Sequence, residues 1–328
     1  MKTLKLIVLM LLTANLIFAQ TTTTEGVSAG QSGANSSYFG YQAGMSATAF
    51  GSTYIGANAG KDAGVNGYYN TSVGYSALQD PSGANCSGNT AIGAHAGTEH
   101  NTGNDNLFIG AYSGGTVGYA NVFIGGSAGA KCAGGSSNLA IGRSALGQLT
   151  NATRNIAIGE QAGESLISGT SNIFIGRSAG KGLTNVNYKF FLGNYGFGPL
   201  LFGDIQTKQL AIGTQDLPID TDGTPFTLAV NGRTLTEEVQ VMPYTNWPDY
   251  VFAEDYELMT LTDLEATIKT LGHLPGVPSA EEVEENGHAL GKMDAILLEK
   301  IEELTLHLID MNKEIKQLRK ENEALKNK

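Results

Sequence analysis

Two stretches of the chain carry a pattern associated with a catalytic serine. Gly125-Gly126-Ser127-Ala128-Gly129 and Gly176-Arg177-Ser178-Ala179-Gly180 both read G-x-S-x-G, which in hydrolases lifts a nucleophile onto a sharp turn between a strand and a helix. Such a serine needs a base within hydrogen-bond reach. The equivalent position elsewhere in the chain is held by Asn58, Ser76, His95, Tyr112, Ser144 and Gln161, types that no single reaction could share. The serines are therefore read as occupants of an unselective outward site. Asp220, Asp222 and Gly223 begin like a calcium loop, yet Ala229 stands where its closing Glu should be, which leaves a solvated turn. His95, His100, His273, His288 and His307 show no ligand spacing. The expectation is a protein that is not an enzyme, with no catalytic residue, no cofactor and no metal site.

The elements that would position these residues are repeats. The motif apolar-Gly-x-x-small-Gly places its first Gly at 40, 56, 74, 93, 110, 125, 142, 159, 176 and 193. The mean spacing of 17 residues is that of a solenoid in which each repeat is one coil. Strand alternation divides each coil into faces. The apolar residues one and three before the Gly (Ile109 with Leu107, Ile158 with Ile156) are expected to line the interior. The residue between them (Phe108, Phe123, Ala140, Ala157, Phe174) is expected to point out as an apolar stripe that identical chains must cover. The small residue three after the Gly is read as a second short strand. Asn70, Asn89, Asn106, Asn121, Asn138, Asn155 and Asn172 each lie four residues before a Gly. At the spacing of stacked strands, about 4.8 Å, their amides can bond from coil to coil, the alternative being a polar array that binds sugar, ice or ions.

The repeat, Asn155-Ile156-Ala157-Ile158-Gly159 in one of its best copies, resembles the head of the trimeric autotransporter adhesins over roughly residues 35–200. That resemblance implies a left-handed parallel β-roll in which three chains pack side by side. The period here is longer than in those heads, so extra loop residues are expected to project outward. The sequence ends at Asn327-Lys328 without the terminal β-strand anchor of that family, so its route of export is not carried over.

Charge and glycine separate two unlike bodies. Residues 26–200 hold six acids, seven bases and 36 of the 44 Gly, whereas residues 201–328 hold 24 acids and 11 bases. Collagen would need Gly at about one position in three, and a disordered chain would not be 41% hydrophobic. Residues 1–19, with Lys2 and Lys5 before an apolar run that ends at Ala19, read as a signal peptide. The expected location is secreted or cell surface, with no integral membrane span after its removal. Residues 20–34 form a lead-in, 35–200 the β-roll head, 201–246 a neck with short strands, 247–289 a small helical docking segment and 290–328 a coiled coil.

In the docking segment Thr262 and Glu265, then Ser279 and Glu282, have capping-box spacing, with Gly272 and Gly287 as stops. Residues 247–304, with His273-Leu274-Pro275-Gly276 and Pro278-Ser279-Ala280-Glu281-Glu282-Val283, resemble a C-terminal segment of secreted fibre-like proteins of Bacteroidetes. Beyond it Ile301, Leu308, Ile315 and Asn322 fall at a, and Leu297, Leu304, Met311, Leu318 and Leu325 at d. In a parallel pair Glu314 would face Arg319 of the neighbour and Glu321 would face Lys326. The core rule leans towards two strands, while the head resemblance implies three. A DNA-binding zipper would need a basic region before the heptads, and Glu281, Glu282, Glu284 and Glu285 stand there instead, so no nucleic acid is expected.

The fold class expected is mainly β, a parallel β-roll or β-solenoid followed by a small α+β neck and a parallel coiled coil. The function expected is a secreted homotrimeric fibre-like protein whose head binds a host or environmental surface or glycan. The alternatives are a solenoid enzyme acting on polysaccharide and a purely structural fibre component. The two cysteines give a first check. Cys86 and Cys132 are offset by three coils, roughly 14 Å, beyond the ~7 Å between Cα atoms that a disulfide spans. Denatured, unreduced protein should titrate both as thiols, and a peptide bridged between them would show that the coil count is wrong.

Overall fold

A computed structural model describes residues 22–26, 29–30, 35–62, 67–79, 86–98, 103–115, 118–220, 222–241 and 247–326. The expected signal peptide, Thr221 and His100 lie outside the described residues. The chain forms two compact units, Met1–Thr234 and Leu235–Lys328.

The first unit is a parallel β-solenoid with coils of about 17 residues. One short strand per coil builds the sheet: β1 (Thr22–Glu25), β2 (Ser36–Phe39), β3 (Thr53–Ile55), β4 (Thr71–Val73), β5 (Thr90–Ile92), β6 (Leu107–Ile109), β7 (Val122–Ile124) and β8 (Leu139–Ile141) follow one another, all parallel. The strands β9 (Asn151–Thr153) and β11 (Ser168–Thr170) leave this sheet to pair with each other. The main sheet continues through β10 (Ile156–Ile158), β12 (Ile173–Ile175) and β13 (Lys189–Asn194). It then reverses: β14 (Gly198–Asp204) and β15 (Gln209–Ile212) are antiparallel additions, and β16 (Leu228–Val230) is parallel to β15.

Register is uniform: Ile156 stands beside Leu139 and Ile173, and Ala157 beside Ala140 and Phe174. The interior is the reverse of the sequence expectation. Phe108, Phe123, Ala140, Ala157 and Phe174 are buried, whereas Ile158 is 37% exposed and its neighbour Ile156 only half-buried. The physical reason is parity: a strand sends alternate side chains to opposite faces, so each three-residue strand turns its central side chain inward and its two flanking ones outward, while buried Ala43, Ala59, Ala77, Ala96, Ala128, Ala145, Ala162 and Ala179 line the opposite wall. That residue shares its parity with the Asn two before it, and both are buried.

The Ala wall is a turn rather than the second strand expected there. Its backbone N–H and C=O groups bond from coil to coil, as in Gly129 N to Ala145 O at 3.0 Å and Leu146 N to Ala162 O at 2.9 Å. At the corner between strand and turn, Gly159 has φ +132°, and a Cβ there would meet the Gly176 carbonyl oxygen at 2.5 Å. No side chain fits this close approach of two backbones. The residues that lengthen the coil do not all project outward either. Leu149 and Leu166 are fully buried, and β9 and β11 stack over them with Ala152 inside. A second short strand therefore exists, but on the loop side of the coil.

Each asparagine of the repeat is buried and joined to the next. Asn106 Oδ1 accepts the backbone N–H of Asn121 at 2.9 Å and its side-chain amide at 3.1 Å. The same amide of Asn121 also donates to Gly135 O at 2.8 Å. The pattern recurs unbroken from Asn70 to Asn172, which makes the column a structural ladder.

The second unit begins with a 3-10 turn, Pro248–Phe252, followed by helices α1 (Leu261–Leu271), α2 (Ala280–Asn286) and α3 (Leu290–Lys326). α1 is capped by Thr260, whose hydroxyl accepts from Asp263 N at 3.2 Å, not by Thr262. Gly272 ends it in the left-handed conformation. The capping box of Ser279 and Glu282 forms as expected. α3 is one continuous helix of 37 residues. Among the described residues no helix is long and apolar enough to cross a membrane.

Core filling generates a test. In the coils centred on Tyr38, Tyr54, Phe108, Phe123 and Phe174 the residue six positions on is Gly, as in Phe123 with Gly129, whose Cβ would lie 2.4 Å from the ring. Where the centre is Ala140, the same position holds Leu146, fully buried with φ +50°. Phe123→Ala should therefore cost about 3–5 kcal/mol, and Gly129→Leu should also destabilise because two large groups cannot share the layer. The double variant reproduces the Ala140 and Leu146 layer and should be more stable than either single change, read by denaturant unfolding; additive losses would refute the pairing.

Candidate interaction surfaces

The outward face of the main sheet consists of the two residues that flank each buried strand centre. The column nearer the corner Gly runs Phe39, Ile55, Val73, Ile92, Ile109, Ile124, Ile141, Ile158, Ile175 and Leu192 in register. Its companion is Ser37, Thr53, Thr71 and Thr90 in the first coils, then Leu107, Val122, Leu139, Ile156, Ile173 and Phe190. Ile55 and Ile92 are each 41% exposed, and most of the others are half-buried by their neighbours in the columns. At about 4.8 Å per strand the apolar column extends roughly 40 Å, more contiguous apolar surface than a solitary soluble protein ordinarily leaves in water.

A second row follows the corner two residues beyond the Gly. Asn58, Ser76, His95, Tyr112, Ser127, Ser144, Gln161 and Ser178 all have left-handed backbone there, with φ between +52° and +58°. Each N–H reaches back to the preceding coil, as in Ser127 N to Ala111 O at 2.9 Å. The G-x-S-x-G serines are members of this row. Ser127 and Ser178 are followed by a turn rather than a helix, and Ser178 Oγ faces the Gln161 amide at 3.4 Å, which cannot act as a base. His95 stacks on Tyr112 with ring centres 5.0 Å apart and meets the edge of Tyr75 at 5.2 Å. Tyr75 and Tyr112 are exposed, so the row carries a short aromatic ridge. Charge is sparse beside it: Arg143 pairs with Glu160 one coil on, and Lys181 lies over the Tyr195 ring at 4.4 Å.

The remaining sequence candidates do not converge. Asp222 accepts Thr224 N–H at 2.8 Å, and this bond holds its carboxyl below the usual range in the way a tight turn does. His273 contacts Leu274 O. Cys86 and Cys132 are buried and not bridged by a disulfide, and burial pushes the Cys132 thiol up. Among the described residues no group of three or more His, Cys, Asp or Glu could hold a metal.

Sequence reasoning missed the acidic cluster of the second unit, which forms where the 3-10 turn meets α3. Val251 and Ala295 are buried at the contact. Tyr250 Oη donates to Glu299 and Tyr256 Oη to Glu303, with Lys300 bridging both carboxylates at 2.7 and 2.9 Å. The bond to Glu299 pushes the Tyr250 phenol up to about 12. Glu302 lies under the turn, 8% exposed, with Oε2 unpartnered. Only the Tyr and Glu types were visible in sequence; their separation of 47 and 49 residues concealed the pairs.

The chain matches no protein-family model, no curated protein and no solved structure.

Burial pushes the Glu302 carboxyl up, and Asp249 and Glu299 add to the effect. A carboxyl whose folded pKa exceeds its unfolded value destabilises the fold while ionised, and the loss disappears as pH falls through the folded pKa towards the unfolded one. Glu302→Gln should therefore melt above wild type at neutral pH, with the difference closing on acidification. Melting of both proteins across pH checks this; a wild type that is the more stable at neutral pH would contradict the burial of an ionised Glu302.

Proposed function

We propose that the chain is a secreted, homotrimeric, fibre-like surface protein whose solenoid head performs adhesion or surface binding and whose long helix is a coiled-coil clamp. The observation that carries this reading is the outward Ile, Val and Leu column of the sheet, aligned over ten strands. Water is a poor neighbour for it, and identical chains packed side by side would bury it. The apolar seam of α3 supports the same reading: Leu297, Ile301, Leu304, Leu308, Ile315 and Leu318 are all exposed in the single chain. The repeat's likeness to trimeric autotransporter heads favours three chains, and the basic and apolar start of the sequence favours export.

Adhesion is supported by what the surface offers and by what it lacks. His95 and Tyr112 of the corner row, with Tyr75 and the cation Arg177 beside it, are available for contact, while a hydrolytic site would need paired acids and bases in one groove. The Ser127 and Ser178 row holds no such pair.

Light scattering on residues 20–328 should report about three times the chain mass. Ile124→Glu, on the outward column, should lower that mass while leaving the β-sheet circular dichroism in place; a wild-type monomer would refute the architecture. A glycan array with a cell-binding assay should then show binding without turnover. Substitution of Tyr112, His95 or Arg177 should weaken it with an unchanged melting curve, and shortened glycan products would refute the adhesive reading.

A further inference from the structure

We infer that α1 is a clasp for a second copy of the chain, and that the groove between α1 and α3 is filled by the neighbour's α3 running parallel. The inference rests on the coiled-coil clamp proposed above and adds the element that completes it.

The groove has a volume of about 400 Å³ and is apolar. Its floor is Leu297, Ile301 and Leu304 of α3, and its wall is Leu261 and Leu264 of α1 with Leu274 beyond. Leu261 is 49% exposed and α1 buries no residue of its own. An amphipathic helix whose apolar side buries nothing in its own chain is a surface awaiting cover.

Heptad position shows on which side the wall stands. The rest of the α3 lining is Lys300, Glu303 and His307, at positions g, c and g, and no e residue borders the groove. The 3-10 turn meanwhile occupies the back of the helix over Ala295, Glu299 and Glu302, at b, f and b. The intrachain contacts thus cover the back of α3 and flank its g side, and they leave the a and d seam open.

The occupant follows from the continuation of that seam. Beyond the wall it runs on through Leu308, Met311, Ile315, Leu318 and Leu325, so whatever covers those residues enters the groove as well. The flanking charges select a parallel copy, since Glu314 and Glu321 at g complement Arg319 and Lys326 at e of an in-register neighbour. In that arrangement each g position faces the neighbour's e position five residues on, which brings the neighbour's Thr305 and Asn312 against the α1 wall.

Two variants of the full chain from residue 20, with Cys86 and Cys132 replaced by Ala and one cysteine added at Leu261→Cys or Thr305→Cys, test this when co-expressed with different tags and treated with a short bismaleimide. The expected product is a 261-to-305 peptide joining the two tagged chains, identified by mass spectrometry. Leu264→Ala should also weaken assembly about ten-fold or more, read from the concentration dependence of the scattered mass. Oligomers that form without the 261-to-305 product, and whose assembly Leu264→Ala leaves unchanged, would overturn the clasp while leaving the coiled coil standing. A monomer at every concentration would overturn both.

Discussion

A side chain that takes the place of backbone holds one coil to the next. From Asn70 to Asn155 each ladder oxygen accepts two donors from the following Asn, and each Asn amide also satisfies a carbonyl of the adjoining loop, as Asn138 does with Ala152 O at 2.8 Å. A buried group left unpaired there would cost about 1–3 kcal/mol. The ladder therefore fixes the point to which the chain must return, whatever the length of the loop between. The steps from Asn70 to Asn89, Asn106 and Asn121 span 19, 17 and 15 residues, yet the strands that follow keep one register.

With the return point fixed, the remaining freedom is the width of the interior, and the Ala wall makes it narrow. Large groups must take turns between the two walls. Phe108 and Phe123 in successive coils face Gly114 and Gly129, and Ala140 faces Leu146. The empty layer between Ala157 and Gly163 is filled by Leu146 from one side and Phe174 from the other. Packing in this molecule is thus shared between adjacent coils, so a change of size in one is felt in the next.

The repeat period, the corner Gly and the Asn ladder were legible in the sequence because each is a local demand on one residue type. Inside and outside were not, since alternation separates two faces without saying which is buried. Ile156 and Ile158 outrank Ala157 in hydrophobicity, which points the wrong way because all three alternate along one strand and only the middle one shares the face of the buried Asn. Parity with the Asn column carried the correct answer. The cap of α1 was ambiguous because Thr260 with Asp263 and Thr262 with Glu265 have the same spacing. The G-x-S-x-G serines gave no sign of their left-handed backbone, a consequence of inter-coil bonding that admits Ser, His, Tyr and Gln alike. Of the interaction surfaces, the seam of α3 was readable as heptads, whereas the α1 wall and the turn under Tyr250 depend on contacts across long sequence separation.

The reversal of direction at β14 marks where the coil-to-coil pattern stops. An end coil that simply stopped would present a row of unpaired N–H and C=O groups, a template on which another chain could add strands indefinitely. Here the last ladder oxygen, on Asn172, is taken by the backbone N–H of Lys189 at 2.9 Å. Lys189 has no side-chain amide to pass the pattern on, and its ammonium is held by Asp204 of the returning strand. Phe202 closes against Phe191 with ring centres 6.3 Å apart. The Asn ladder thus ends chemically at Lys189, and the sheet goes on through β15 and β16 without it.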